Sequence, residues 1–421
     1  MKTLHNYRVL MLAVVTFFQP AAPCMAEDGA ESVVVDKSQI QSEVEKLEAR
    51  LEALRAELLG DDAPADQPAD VEAEAPAVAD EATARVSQPE PIVLTQKQQR
   101  LCEQLGIDEE LLTALVNKPL YEFTESEVDV YLRYLSAFEP KLPERIKHLA
   151  RKNIGQPYEI YLLGEMPFEH YDPQPLYCLT KSDCLVFTEH TYAMALSDSW
   201  ETFMRTLQRI RYADGKIGVA TRNHYTEADW NINNTWLVRD ITPELARQRG
   251  VKFKQTIDRA KFLRGRYKLE TEIPVEERVD MYLPFEAIDQ AKGRLKDGDF
   301  VNIVRGTPPK PGGENNKQTP TGTMEEIFGG SAWVGHTGLI VIGDDGEVHL
   351  IHSAQPSVRE ETIDDYIAKS TENLAERDAA GKARLLGFKF LRLQNDPVAN
   401  LRKVDGADAP KVVLPDGGTL K

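Results

Sequence analysis

Cysteine is scarce in this 421-residue chain: there are four, and Cys24 falls in an amino-terminal segment whose pattern predicts removal. Cys102, Cys178 and Cys184 then remain. Three thiols cannot frame a disulfide-built fold, and in an oxidising compartment one stays unpaired or pairs with another chain. A Cys102–Cys178 bridge would leave Cys184 free, although sequence does not establish that pairing. Long apolar runs are also missing. The run from Val9 to Phe18 is too short to span a bilayer, and no later segment approaches that length, so no transmembrane segment is expected. Basic residues are in the minority, 50 against 68 acidic ones, for a net charge of −18. So acidic a chain repels phosphate backbones, which excludes nucleic acid as a general partner.

Lys2 and Arg8, the short apolar run, and the small residues up to Ala26 follow the order of a secretory signal peptide spanning 1–26. Pro23 before Cys24, and Ala21 rather than leucine three residues before it, argue against lipid attachment. Removal of 1–26 takes away two basic residues and no acid, so −18 becomes −20. The mature chain is therefore expected to be periplasmic or extracellular.

Within 27–60, the residues Ile40, Val44, Leu47, Leu51, Leu54 and Leu58 form a heptad seam among charged and small residues. It reads as a coiled-coil-like helix for self-association or docking, or as a solvated helix near a terminus; both readings stand. Residues 61–92 are an acidic, Ala- and Pro-rich linker with too few large apolar residues for a core. Residues 93–141 are a helical region, with patterns over Gln96 to Leu105, Glu109 to Val116 and Glu125 to Phe138. The main domain is expected over 142–395, opening with a helix from Pro143 to Lys152 and carrying a helical run from Pro284 to Lys292. Its strand-rich part begins near Leu295, interrupted by a long loop from Thr307 to Gly330, and 396–421 read as a peripheral tail.

Two residues carry chemistry in suitable settings. Cys184 follows Ser182 and Asp183, either of which can cap a helix through Val186, Phe187, Tyr192 and Met194. In the first helical turn the dipole is expected to lower the thiol's pKa. His336 opens a strand-forming run, with Val348 to Ile351 as its hairpin partner around Asp344-Asp345-Gly346. A three-residue turn with Gly346 left-handed puts His352 opposite Gly338, on the face of His336, where it can orient the imidazole. A two-residue turn would bring Ser353 there instead. His349 points the other way. Zinc is disfavoured, because alternation separates the histidines and no compact ligand spacing is present.

A set of motifs then comes in one order: Gly155-Gln-Pro-Tyr158, Ser182-Asp-Cys-Leu-Val-Phe-Thr-Glu189, Ala220-Thr-Arg-Asn-His-Tyr-Thr-Glu-Ala-Asp-Trp230 with Asn233-Asn234, Asp297-Gly-Asp299 and His336-Thr-Gly338. Together they resemble the NlpC-type, papain-like cell-wall cysteine hydrolases, in the N-acetylmuramoyl-L-alanine amidase-like branch, also called domain of unknown function 1460. The resemblance covers roughly Leu142 to Leu393. It implies an α+β fold, a nucleophile helix packed on an antiparallel sheet. It implies Cys184 as nucleophile, His336 as base, His352 as the third polar residue and Tyr158 near the nucleophile. Arg222, Asn223, His224, Asp229 and Trp230 would line the substrate groove, unless that stretch is a buried aromatic with turn-forming neighbours. The chain departs from the pattern in Lys181-Ser182 and in the long insertion before His336.

The resulting expectation is an exported cysteine amidohydrolase acting on peptidoglycan or muropeptides at the MurNAc–L-alanine amide, with no metal or organic cofactor. A D,L-endopeptidase on the stem peptide is the nearest rival. A catalytically silent wall-binding or scaffold protein, and acyl transfer or lipid hydrolysis, are the others.

Overall fold

Four helices open the described chain, and three of them begin at a side chain suited to the task. Thr95 starts α1 (Gln96–Leu105) and Thr124 starts α3 (Glu125–Phe138), each in a capping box with the residue three positions on; Asp108 caps α2 (Glu109–Asn117). The fourth, α4 (Leu142–Lys152), has proline in its first turn instead. The computed structural model describes residues 92–307, 331–380 and 382–404. The signal segment, the heptad helix, nearly all of the acidic linker and the loop after Thr307 lie outside the described residues.

After α4 a long irregular stretch leads to α5 (Cys184–Ala195) and α6 (Trp200–Arg211). The strands follow: β1 (Val238–Asp240), β2 (Val251–Ile257), β3 (Glu276–Pro284), β4 (Phe300–Thr307), β5 (Ser331–Ile342), β6 (Val348–Ala354), β7 (Ser357–Thr362) and β8 (Arg384–Leu393). They form one antiparallel sheet in the order β2-β3-β8-β4-β5-β6-β7, with β1 on β8. Three more helices are α7 (Arg259–Tyr267), α8 (Ile363–Thr371) and α9 (Pro397–Val404).

The sheet separates two apolar clusters, as alternation along its strands requires. Leu339, Val341 and Ile351 pack with Phe187 of α5, Phe203 of α6 and residues of α1 to α4. Ile340 and Leu350, one residue along, pack with Ile363 and Tyr366 of α8 and with Phe388. Full burial of each such side chain stabilises by roughly 1.5–3 kcal/mol.

Two expectations need correction. The run from Pro284 to Lys292 is not one helix: β3 continues through Pro284, then a 3-10 turn and a short helix follow. Proline has no amide to give the ladder, so it ends the strand and opens the turn. The stretch after Asp396 is not wholly peripheral either, since Leu401 of α9 is buried and Asn400 Nδ2 donates to the Trp236 carbonyl at 3.0 Å.

Candidate active site

Asp183 ends an extended segment and its Oδ1 accepts from the amides of Leu185 (2.9 Å) and Val186 (2.8 Å). Cys184 is therefore the first residue of α5, and its own amide is among those a helix leaves without an intrahelical acceptor. The approach to this turn is tied down on both sides. Ser182 Oγ donates to Gln156 Oε1 at 2.7 Å, and Gln156 Nε2 donates to the Leu179 carbonyl at 2.7 Å. From the sheet, Ser353 Oγ donates to the Ser182 carbonyl at 2.8 Å. Tyr158 joins the same frame through its amide, which donates to the Pro356 carbonyl at 3.0 Å.

The thiol environment differs from the helix-start expectation. Cys184 keeps some exposed surface, yet burial, helped by the Asp183 charge, pushes its pKa up to about 12. The Thr337 amide and hydroxyl and the Leu185 amide act in the opposite direction and do not overcome it. Burial, which penalises the thiolate, thus outweighs the hydrogen bonds offered to it at the helix start. Burial also raises the Tyr158 phenol, and the Cys184 and Asp183 charges add to the shift, so this tyrosine shares the electrostatic surroundings of the thiol.

The hairpin of β5 and β6 has a three-residue turn, with Gly346 left-handed at φ +83° and the Gly343 amide donating to the Glu347 carbonyl at 2.9 Å. Leu339 pairs with Ile351, which carries Gly338 towards His352. A Cβ on Gly338 would lie 2.9 Å from the Ile351 carbonyl oxygen and 3.1 Å from the His352 Cβ. Across this gap His336 Nε2 and His352 Nδ1 are 2.7 Å apart. His352, wholly buried, reaches Glu361 Oε1 through Nε2 at 2.9 Å. Glu361 also accepts from Arg359 Nε (3.0 Å) and Lys369 Nζ (2.7 Å). Burial opposes its charge, but the hydrogen bonds from His352, Lys369 and Arg359 prevail and hold the carboxyl well below the usual range. Burial, with His352 and two arginines nearby, drives the His336 pKa well down, and burial also lowers that of His352.

Ser353 and His349 occupy the other face of β6. Ser353 serves the Ser182 carbonyl, while His349 meets Glu360 at 3.0 Å and Asp345 at 3.2 Å. On β5, Thr337 turns towards α5 with Leu339 and Val341, and His336 turns the other way with Gly338 and Ile340. The β5–β6 pairing stops at Leu339–Ile351, and beside Thr337, past that end, lies the thiol. Thr337, beside the thiol, and His336 are thus neighbours on β5 that face opposite sides of it. Among the described residues no hydrogen bond joins Cys184 to His336; the polar partner of His336 is His352.

The stretch expected to line a groove stands mostly behind the surface. Arg222 Nη1 donates to the Leu163 carbonyl (2.9 Å) and Asp172 (3.0 Å), Nη2 donates to the Tyr267 hydroxyl (2.6 Å), and Nε lies 3.2 Å from Glu165. Asn223 Nδ2 donates to the Ile210 carbonyl at 2.9 Å. His224, half-buried, bonds the Val219 carbonyl at 2.7 Å and packs against Phe262, with its pKa driven down to about 3 by burial and then by Arg222. Asp229 accepts from the Tyr225 amide (2.9 Å) and Arg259 Nε (2.7 Å). Trp230 is wholly buried, its ring tilted at 47° against Phe300 with centroids 4.5 Å apart, and donates to Glu189 at 3.1 Å. Arg211 holds the other Glu189 oxygen at 3.0 Å.

Several of these partners were not anticipated. Glu361 was findable: carrying the alternation argument from β6 across to β7 leads to it, because Arg359 pairs with His352 and Glu361 is two residues further on the same face. Glu165, Glu189 and Arg211 give no such signal, since a buried ion pair between distant segments leaves no local pattern. Cys102, Cys178 and Cys184 are all free thiols.

A crystal structure of a Legionella pneumophila protein of the domain-of-unknown-function 1460 family superposes with a TM-score of 0.51 at 19% identity, covering 64% of this chain and 95% of that one. An N-acetylmuramoyl-L-alanine amidase from Bacteroides uniformis aligns at 20% identity and a TM-score of 0.42, over 60% of this chain and 99% of its own. No curated protein matches the chain. The profile described as AmiA-like, N-acetylmuramoyl-L-alanine amidase-like, matches residues 148–373, more than half of the chain, from the end of α4 past His336 and His352, and on that match the chain belongs to the N-acetylmuramoyl-L-alanine amidase-like family.

Proposed function

We propose that this protein is an exported cysteine hydrolase that cleaves the MurNAc–L-alanine amide of peptidoglycan or its fragments. The observation that carries the reading is Cys184 at the first position of a capped helix, its thiol beside the strand residue that follows His336. Family membership supplies the substrate class. An NlpC-type, papain-like architecture is part of the same proposal, and the antiparallel sheet with a cysteine-bearing helix against it is consistent with it.

In the reaction, His336 takes the thiol proton as Cys184 attacks the amide carbonyl. The Cys184 amide, free at the helix start, donates to the developing oxyanion. Protonated His336 then delivers its proton to the leaving amine, and water releases the acyl group. Because thiol and imidazole both rest neutral, the proton moves during attack rather than beforehand. His352 supports His336, and Tyr158 flanks the thiol. Arg222, Asn223, His224, Asp229 and Trp230 shape the groove indirectly, by holding its wall. The chain would be secreted through residues 1–26, with the linker 61–92 joining the heptad helix of 27–60 to the catalytic domain.

The test is mass spectrometry of defined muropeptides incubated with the mature protein and with Cys184→Ala. Stem peptide beginning at L-alanine, released by the wild type alone, is the expected result. Cleavage within the stem would make the enzyme an endopeptidase. The raised thiol pKa favours one other reading, a silent wall-binding protein; folded, reduced wild type that cuts nothing would favour that role, or a different acyl substrate, over the amidase.

A further inference from the structure

We propose that Glu361 is a positioning residue that fixes the proton arrangement of both histidines and so leaves Nδ1 of His336 as the basic nitrogen; this rests on the cysteine-hydrolase reading above. The argument runs along one chain of hydrogen bonds. Glu361 is bonded by Arg359, Lys369 and His352, three donors for one carboxylate. An ionised carboxylate only accepts, so the proton in the 2.9 Å contact sits on His352 Nε2.

His352 is wholly buried, which keeps its ring neutral. A neutral imidazole carries one proton, and with Nε2 occupied its Nδ1 is a bare acceptor. The 2.7 Å contact with His336 then requires the proton on His336 Nε2. Nδ1 of His336 is left with its lone pair. That nitrogen is the one nearer the strand backbone, and the next residue on the strand, Thr337, is the one beside the thiol. Without Glu361 the chain can reverse, each proton moving to the other nitrogen, and Nδ1 of His336 becomes a donor unable to accept from Cys184. When His336 gains the thiol proton, the same carboxylate, one ring away, stabilises the imidazolium.

The test is nitrogen-15 NMR of full-length protein labelled in histidine, at neutral pH, with Glu361→Leu and Glu361→Asp beside the wild type. Wild type should show both His336 and His352 protonated at Nε2. Glu361→Leu should populate the Nδ1-protonated form of His336 and lose kcat by about 10²-fold with KM little changed, the size expected when a base loses its correct proton form. Glu361→Asp should recover part of that loss. A wild-type spectrum with the proton on His336 Nδ1, or Glu361→Leu with unchanged tautomers and full kcat, would overturn the proposal. The wild-type spectrum needs no variant to fold. It also needs no turnover, so a protein inert towards muropeptides would count against the hydrolase reading alone while the spectrum still judged Glu361.

Discussion

Asp183 caps the helix that Cys184 begins, and the same carboxylate raises the pKa of the Cys184 thiol. One side chain thus holds the helix start in place and works against ionisation of the residue after it. Asp183→Asn keeps an oxygen for the Leu185 and Val186 amides and removes the charge. Alkylation of Cys184 by iodoacetamide at neutral pH should then speed up by ~10-fold, the effect of one pKa unit. The measurement is labelling of the tryptic peptide that carries Cys184. Asp183→Ala, which loses the cap, should cost about 1 kcal/mol of stability in urea unfolding.

The pH profile of that alkylation follows from the two shifts. The thiol pKa is raised, so the neutral form holds below about 12, and the lowered His336 pKa leaves no imidazolium to pair with a thiolate. In the wild type the labelling rate should climb with pH throughout the neutral and alkaline range. A plateau between about pH 6 and 9 would reveal a thiolate–imidazolium pair instead.

Arg222 is buried between Glu165, which has no exposed surface, and Asp172. Arg222→Ala leaves a buried carboxylate without its cation and should cost about 3–5 kcal/mol. Arg222→Lys should recover little, because one ammonium cannot reach the Leu163 carbonyl, Asp172 and Tyr267 together as the fork does. Denaturant unfolding measures both. Turnover of the folded fraction, with KM near wild type, separates a wall-holding role from direct substrate contact.

Trp230→Phe removes the indole donor from Glu189 while keeping an aromatic ring against Phe300. The expected loss is about 1–3 kcal/mol for a buried acceptor left short of a partner. Trp230→Ala adds a cavity and should cost roughly 3–5 kcal/mol. Equal losses for the two variants would mean that the hydrogen bond, not the packing, dominates.

Gly338→Ala should destabilise by about 1–3 kcal/mol, since its Cβ would meet Leu350 Cδ1 at 2.6 Å as well as the Ile351 carbonyl. By pressing on the His352 Cβ it should also weaken the contact with His336, visible as loss of the paired histidine signals in NMR.

The helices before α5 were legible because capping residues and 3.6-residue periodicity coincide there: Gln96–Leu105 and Glu125–Phe138 have the bounds read from sequence. The hairpin register was legible for a similar reason, as Gly346 dictates the turn length and the turn length dictates which residue faces Gly338. β3 was not, since charged residues occupy both of its faces and Val279 is exposed, so no apolar alternation marks it. The face on which Cys184 meets the sheet was equally hidden. It depends on how α5 packs, which puts Thr337 rather than His336 under the helix, and no local pattern encodes that choice.

β6 is read from both sides. His352 looks to one face and the imidazole of His336, while Ser353 looks to the other and holds the Ser182 carbonyl beside the turn that leads into Cys184. A slip of one residue exchanges the two. A misregistered molecule would put a serine under His336 and an imidazole against the turn before Cys184, losing both attachments at once. Pairing of β6 in register therefore makes both attachments together, and a slipped strand makes neither.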